Sequence, residues 1–245
     1  MRSGIVLSIL LGVLALPVWA ETSPYNRLLT TYVDGLGRVD YARWKAQDAT
    51  TLKDQINSFK DLDPETLPNR AAKLAFWINA YNAFALESVL ERYPIETVRP
   101  GSFIPDLSFF KTARHEVHGH SYSLDEIENE VLRGQFKEPR IHFAIVCASR
   151  SCPRLRNRAY TADQLDSQLD EAARQFINDP KKNQYDNARG TVKLSKIFYW
   201  FRDDFGGSVS EFLKKYAESE ALKALDNRRL KISYLDYDWG LNDRK

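Results

Sequence analysis

The chain has 245 residues, of which 43% are hydrophobic and 12% aromatic, enough to bury a substantial core. Its formal net charge is +2 at pH 7, so no strong overall field attracts nucleic acid or an anionic membrane. No internal repeat or low-complexity segment indicates a solenoid or a disordered linker. The composition predicts a globular protein that does not bind nucleic acid, and it indicates no particular protein partner.

Residues 1–20 have the pattern of a secretory signal peptide. Arg2 supplies a positively charged start, and the apolar run over residues 5–16 is short for a membrane span. The small-residue ending predicts cleavage after Ala20; the alternative is an uncleaved N-terminal anchor. We expect a periplasmic or secreted protein with no stable membrane insertion after cleavage, in which residues 21–245 form a single domain.

The first predicted elements of the mature chain are mostly helical. Residues 25–33 predict a short amphipathic helix, residues 37–45 alternate like a short strand or an extended entry segment, and residues 46–60 predict a surface helix. After a turn with two prolines, the run AAKLAFWINAYNAFALESVLERY predicts the strongest helix, which ends before Pro94. This run is apolar nearly all round, so it predicts a buried central helix.

Two asparagines interrupt the apolar surface of that helix. Asn79 and Asn82 are three residues apart, so they share one face. Asparagine is a poor helix former and is costly to bury without hydrogen-bond partners. One interpretation is that the two amides bind neighbouring backbone groups. The other, which predicts ligand-binding residues, is that they face a pocket.

The middle of the chain combines a hairpin, a helix and an apolar run. The segment HEVHGHSYS predicts a hairpin that turns near Gly119. Ser123 and Glu126 form a predicted capping box at the start of a helix, and Gly134 marks its end. The segment RIHFAIVCA, residues 140–148, has the composition of a central buried strand.

The C-terminal part alternates helices with short strands. Thr161 and Gln164 predict a second capping box before a helix, and Ser208 with Glu211 caps a later one. The segments GTVKLS and LKISYLDYDWGLN predict strands, and KIFYWFRDDFGG predicts a helix between them. Helices outnumber strands. The pattern therefore predicts an α+β fold: a helix-rich single domain with its central helix packed on a small, mainly antiparallel sheet.

Both cysteines lie just after the predicted buried strand. In a regular strand, His142 and Cys147 point to opposite faces, so they meet only if the strand bends or ends before Cys147. Cys152 lies in the following loop, near Arg150 and Arg154. Three interpretations stay open: a structural disulfide in an oxidising compartment, a redox pair, and a thiol nucleophile activated by a histidine or an arginine.

Other polar clusters offer chemistry at the hairpin and near the C-terminus. The three histidines of the hairpin lack an evident distant ligand, so we predict no metal site and no cofactor. Phosphate-cradling glycine loops, GxSxG elbows and HExxH motifs are absent from the sequence. In the segment YLDYDWGLN, Asp238 could orient His142 as the third member of a triad. Trp239 and Asn242 are candidate ligand-binding residues beside it.

Six segments together resemble a known family, the domain of unknown function 547. They are, in order, VDYARW, LAFWINAYNAF, SLDEIE, RIHFAIVCASRSCP, VKLSKIFYWF and YDWGLN. The resemblance spans nearly all of the mature chain and is specific, because the segments occur in the family's order. It implies that the family's recurrent polar residues fall on Asn79, Asn82, His142, Cys147, Cys152, Asp238 and Asn242. The family often has a histidine where this chain has Asn129.

The family resemblance implies little about activity. Some members are joined to glutaredoxin-like domains, which suggests thiol chemistry by association. The order of a buried helix, a histidine and a later acid also resembles the papain and transglutaminase-like fold. In that fold the nucleophilic cysteine begins the central helix, and no cysteine stands there in this chain.

These observations predict a thiol-dependent hydrolase or transferase that acts on a peptide-like or thiol-containing small molecule. Cys147 or Cys152 would attack the substrate, His142 would accept the proton, and Asp238 would orient the histidine. The alternative is a non-catalytic module that binds a peptide or small ligand and carries a structural disulfide. In either case the pocket would lie between the asparagine face of the central helix, His142 and the C-terminal segment.

Overall fold

The computed structural model describes residues 23–100, 108–112 and 114–244. The predicted signal peptide therefore lies outside the described residues. Three short helices come first: α1 (Pro24–Tyr32), α2 (Tyr41–Gln47) and α3 (Ala49–Asn57). The predictions for α1 and α3 are confirmed, and both helices bury their apolar faces.

The prediction of a short strand over residues 37–45 is wrong, because most of the segment forms α2. The alternative, an extended entry, fits only the residues just before the helix. Asp40 caps this helix by accepting a hydrogen bond from the Arg43 backbone N–H at 3.1 Å. Tyr41 and Trp44, three residues apart, are buried on one side of the helix. A spacing of three residues fits one face of a helix, and the alternating pattern of the same segment fits a strand equally well, so the sequence alone does not decide between them. Only Val39 pairs in an extended manner, in isolated bridges.

The central helix α4 (Arg70–Arg92) is confirmed. Asn69 caps its start by accepting from the Ala72 N–H at 2.9 Å, and the chain leaves the helix at Tyr93, before Pro94. Nearly every residue over 74–90 is buried. The main neighbours of α4 are other helical segments, including α2 and α3, so it is not packed principally on a sheet as predicted.

The predicted hairpin and capping box in the middle of the chain are confirmed. After the short helix α5 (Ser108–Lys111), strands β1 (His115–Val117) and β2 (His120–Tyr122) pair antiparallel around Gly119. The Ser123–Glu126 capping box begins helix α6 (Leu124–Glu126). The chain then continues as a π-helix, Ile127–Phe136, a wider winding that is frequent at functional sites.

The predicted buried strand over residues 140–148 is wrong. Its first half is a 3₁₀-helix, Pro139–Phe143, and the rest is irregular. Glu138 caps this turn by accepting from the Arg140 N–H at 3.1 Å, and Pro139 takes the first helical position. The apolar run is buried because the helix over Leu165–Ile177 packs on its first half and α4 contacts its second half, so continuous burial here does not indicate a sheet.

The C-terminal half places a small mixed sheet among short helices. It contains α7 (Leu165–Ile177), β3 (Gln184–Asp186), β4 (Thr191–Leu194), α8 (Ile197–Trp200), a 3₁₀-helix (Arg202–Phe205), α9 (Val209–Lys214), α10 (Ser219–Leu225) and β5 (Lys231–Tyr234). β3 pairs antiparallel with β4, and β4 pairs parallel with β5. The Ser208 cap is confirmed. The Thr161–Gln164 capping box is wrong, because α7 begins after Gln164 and lacks a side-chain cap.

Two apolar clusters hold the fold together. The larger one surrounds α4, and the smaller one is rich in phenylalanine and lies between α7, the three-stranded sheet and the helices after it. Phe143 belongs to the smaller cluster, while its neighbours Ile141 and Ala144 belong to the larger one. The 139–147 segment therefore runs between the two clusters. This helix-rich α+β arrangement confirms the predicted fold class.

Candidate functional site

A cavity of about 190 Å³ opens where the two apolar clusters meet. Its aromatic lining consists of Tyr81, Phe110, Trp200, Phe201, Tyr237 and Trp239. Its ionisable lining consists of Lys111, Asp125, Glu128 and His142, and the two cysteines and Pro153 complete one side. A more open groove of about 460 Å³ lies along α7, but it is lined mainly by charged side chains. Ligand sites are typically enclosed and mostly apolar with a few polar groups, which favours the smaller cavity.

One wall of the cavity is a cluster of three aromatic rings. Trp200 ends α8, whereas Tyr237 and Trp239 belong to the segment after β5. The ring centroids are 4.9 Å apart for Trp200 and Tyr237, and 4.6 Å apart for Tyr237 and Trp239. Trp200 is 42% exposed, a large exposure for a tryptophan packed against other rings. We call these three residues the aromatic wall.

Glu128 is the most unusual acid of the cavity. It lies on the π-helix, and its closest hydrogen-bond partner is the Tyr81 hydroxyl, which donates to Oε2 at 3.5 Å. Burial raises the pKa of Glu128 to about 7, although Arg133 acts in the opposite direction and Asp125 adds to the increase. Part of the Glu128 surface nevertheless remains open to the cavity. A carboxyl group with this pKa exchanges protons near neutral pH.

His142 is paired with Asp204, not with the predicted Asp238. Its Nε2 lies 2.7 Å from Asp204 Oδ2, and Arg133 Nε donates to the same oxygen at 2.6 Å. Burial lowers the pKa of His142, which favours the neutral ring, and the Asp204 contact only partly offsets this. The hydrogen bonds from His142 and Arg133 hold the pKa of Asp204 well below its usual range. An ionised carboxylate only accepts, so Nε2 carries the proton and Nδ1 of the neutral ring is unprotonated.

Asp238 instead shapes the C-terminal loop. Its Oδ1 accepts from the Gly240 N–H at 2.8 Å, and its own N–H donates to Ser151 Oγ at 2.8 Å. The nearest cationic group is Arg150, with 3.7 Å between Nη1 and Oδ2. The side chain is exposed at the surface. The predicted triad of a cysteine, His142 and Asp238 is therefore not formed.

The two cysteines are joined as a disulfide, with 6.1 Å between their Cα atoms. Cys152 is buried and Cys147 is half-buried. The Cys147 Sγ lies 3.1 Å from Ser149 Oγ and 3.5 Å from the Tyr237 hydroxyl. His142 and Cys147 both line the cavity because the chain between them is not a strand and its side chains do not alternate.

The two asparagines of α4 bind backbone rather than a pocket. Asn79 donates to Tyr160 O at 2.8 Å and accepts from Tyr160 N–H at 2.9 Å. Asn82 donates to Ala144 O at 3.0 Å and accepts from Val146 N–H at 2.8 Å. Each amide thus satisfies one backbone carbonyl and one backbone N–H of an irregular segment, as a neighbouring strand would do in a sheet. Both amides therefore have the backbone partners that the structural interpretation predicts, and their ligand-binding role stays a prediction.

The C-terminal candidates divide in the same way. Asn242 accepts from the Tyr41 hydroxyl at 2.8 Å and donates to Gly37 O at 3.3 Å, so its amide joins two parts of the fold. Trp239 is the only one of the predicted ligand-binding residues that lines the cavity. Its ring also lies under the Arg99 guanidinium, 4.9 Å from the ring centroid.

Sequence reasoning missed Glu128, Asp204 and Trp200. The π-helix that carries Glu128 has no obvious sequence signal. The capping box before it predicts an ordinary helix and does not show whether the acids that follow are buried. Asp204 follows the aromatic run of residues 198–201, and acids after such a run were available as candidates. Asn129, which replaces the family's frequent histidine, donates to Asp125 O at 3.0 Å and accepts from Arg133.

The hairpin histidines do not come together. His115 lies 3.7 Å from Glu87 and stacks on Phe84, whereas His118 lies 3.7 Å from Asp63. Across residues 23–100, 108–112 and 114–244, no group of three His, Cys, Asp or Glu side chains is arranged to hold a metal ion. Over the same residues, no helix combines the length and apolar character needed to cross a membrane.

Residues 64–177 match the model of a protein family described as "Protein of unknown function, DUF547". The chain resembles this family. The matched residues include Glu128, His142 and both cysteines, while the aromatic wall and Asp204 lie beyond the match. No curated protein and no solved structure matches the chain. The resemblance to the papain and transglutaminase-like fold is therefore without support.

Proposed function

We propose that the cavity binds a small molecule or a side chain of a peptide, and that the protein is a binding module acting outside the cytoplasm. The observation that carries this proposal is the aromatic wall, in which Trp200 keeps 42% of its surface exposed. It lines the same cavity as the buried His142 and the half-buried Glu128. Apolar pockets with a few convergent polar groups are typical of ligand sites. Export follows from the predicted signal peptide and stays a prediction.

The test is binding of a small aromatic probe, benzyl alcohol, followed by quenching of tryptophan fluorescence. We expect Trp200→Ala to weaken binding by about tenfold, because the ligand loses a stacking surface worth about 1 kcal/mol or more. The matched control is Tyr199→Ala, since Tyr199 is the next residue, is 57% exposed and is not part of the cavity lining. Equal affinity of wild type and Trp200→Ala, or no binding to wild type, contradicts the proposal.

A second candidate is the thiol-dependent hydrolase or transferase, favoured by the position of the disulfide in the cavity wall beside His142. This activity requires prior reduction: two electrons and two protons from an external dithiol convert the disulfide to two thiols. Cys147, the less buried sulfur, would then attack, and Nδ1 of His142 would accept its proton.

Alkylation distinguishes the candidates. A catalytic Cys147 should react with iodoacetamide faster than glutathione does at pH 7 once the protein is reduced, and His142→Ala should slow that reaction by about tenfold or more. A purely structural disulfide gives a reduced thiol that reacts no faster than glutathione, with or without His142.

A further inference from the structure

The electrostatics of the cavity indicate which ligand it accepts. Its ionisable groups are two carboxyls, Asp125 and Glu128, a histidine held neutral by burial, and Lys111. Lys111 is exposed at the rim, where water screens its charge. The interior of the cavity is therefore the acidic part.

Glu128 lacks an internal cationic partner. Among the described residues, no Lys, Arg or His side chain lies within ion-pair distance of its carboxyl, and only the Tyr81 hydroxyl donates to it. The nearby Arg133 is already engaged, because its guanidinium donates to both oxygens of Asp204 and to Asn129. A buried carboxylate without a cation is costly, so structural roles normally include one.

The aromatic wall supplies the second half of a cation site. The faces of tryptophan and tyrosine rings carry partial negative charge and attract ammonium groups, most strongly where water is excluded. Trp200, Tyr237 and Trp239 pack within 6 Å of one another, as the Trp200–Trp239 centroid distance of 5.9 Å shows. They line the same cavity as Glu128.

We propose that the cavity selects ligands that carry a protonated amine, whose ammonium group binds the Glu128 carboxylate while its organic part lies on the aromatic wall. This inference rests on the proposed binding function and adds the ligand class. A small primary amine or an amino-terminal or lysine-like group of a peptide has the required chemistry. The ammonium provides the charge that Glu128 lacks inside the protein.

The neighbours of Glu128 set the expected pH dependence. The titratable or charged groups that face it are Tyr81 from α4, Asp125 from α6, Arg133 from its own helix, Asp204, Tyr237, and the cavity residues Lys111 and His142. With a pKa of about 7, Glu128 is largely protonated at pH 6 and largely ionised at pH 8. Affinity for an ammonium ligand should therefore increase over this range, while affinity for a neutral ligand should not.

The experiment compares two probes of equal shape, benzylammonium and benzyl alcohol, by tryptophan quenching at pH 8. We expect wild type to bind benzylammonium at least about tenfold more tightly, the smaller end of the range for a charge-assisted hydrogen bond. Glu128→Gln should remove that preference for the ammonium probe. Glu130→Gln is the matched control, because Glu130 lies on the same helix, is exposed and is not in the cavity lining; it should behave as wild type.

The outcomes separate this inference from the proposed function. If benzyl alcohol binds and benzylammonium binds no more tightly, the amine inference is wrong and the cavity remains a binding site. The same conclusion follows if Glu128→Gln keeps the wild-type preference. If neither probe binds, both proposals are wrong.

Discussion

Two groups of buried polar side chains lie a short distance apart in the chain's fold, and they differ in how completely they are hydrogen-bonded. On α4, the amides of Asn79 and Asn82 each donate to one backbone carbonyl and accept from one backbone N–H. In the cavity, the carboxyl of Glu128 has only a long contact with the Tyr81 hydroxyl. The amides of the first group have their hydrogen-bond partners within the protein, whereas the carboxyl of the second group largely lacks them.

This difference separates residues that stabilise the fold from residues that are available to a ligand. A buried polar group that is fully matched stabilises the fold, and its removal leaves backbone groups without partners. An unmatched buried carboxyl destabilises the fold when it ionises, and is retained where binding or chemistry requires it. Substitutions in the two groups should therefore change the free energy of unfolding in opposite directions.

The largest expected effect is that of Asn82→Leu. Leucine is close in size but leaves Ala144 O and Val146 N–H buried without partners. Each unsatisfied group costs about 1–3 kcal/mol, so we expect the free energy of unfolding to fall by about 3 kcal/mol or more. Urea denaturation at pH 7 measures this change.

The control is Asn57→Leu, at an exposed position at the end of α3. It should change the free energy of unfolding by less than about 0.5 kcal/mol. A loss for Asn82→Leu as small as that of the control would contradict this prediction, since it would mean that the backbone groups in contact with Asn82 do not need its amide.

The same comparison explains what could be predicted from the sequence. The central helix was predictable because its apolar residues form a long run without proline, and its N-terminal cap and final proline define its ends. The two asparagines were recognisable because they are polar residues within that apolar run. Their partners, Tyr160 and the 144–146 segment, are distant in sequence, so no local pattern could decide between backbone and ligand.

The 140–148 segment shows why the site itself was only partly predictable. A short apolar run fits a buried strand and any other buried segment equally well. Here Pro139 and the Glu138 cap favour a helical turn. Asn82 hydrogen-bonds the irregular backbone that follows, so that its buried polar groups have partners without a sheet. Because the segment is not a strand, His142 and Cys147 both line the cavity instead of pointing to opposite faces. The partner of His142 is Asp204, not the predicted Asp238.

Glu128 could not be recognised because burial, not residue type, makes it unusual. Ser123 and Glu126 predict the helix start, and the acids after it look like those of any solvated helix face. The π-helical winding after Glu126 changes which side chains face inward. Only the packed structure shows that Glu128 lies among aromatic rings while Glu130 remains at the surface.

The smaller effect, opposite in sign, is that of Glu128→Gln on stability. In the folded protein the pKa of Glu128 is raised from 4.5 to about 7, so folding favours the protonated form. The stability of the wild type that derives from this proton is fully present below about pH 4.5, and it is lost as the pH rises through 7. Glutamine is neutral at every pH. The variant should therefore match wild type near pH 4.5 and become more stable than wild type by pH 8.

The expected gain at pH 8 is about 2 kcal/mol, less than the full value of the pKa shift at 1.4 kcal/mol per unit, because part of the carboxyl is open to water in the cavity. Urea denaturation of both proteins at pH 4.5, 6 and 8 gives the difference. His142, whose lowered pKa acts with the opposite sign, is present in both proteins and cancels. Glu130→Gln, at the surface, should show no comparable trend. If the difference between Glu128→Gln and wild type stays constant with pH, Glu128 ionises as it does in water, and its carboxyl is matched as fully as the amides of α4.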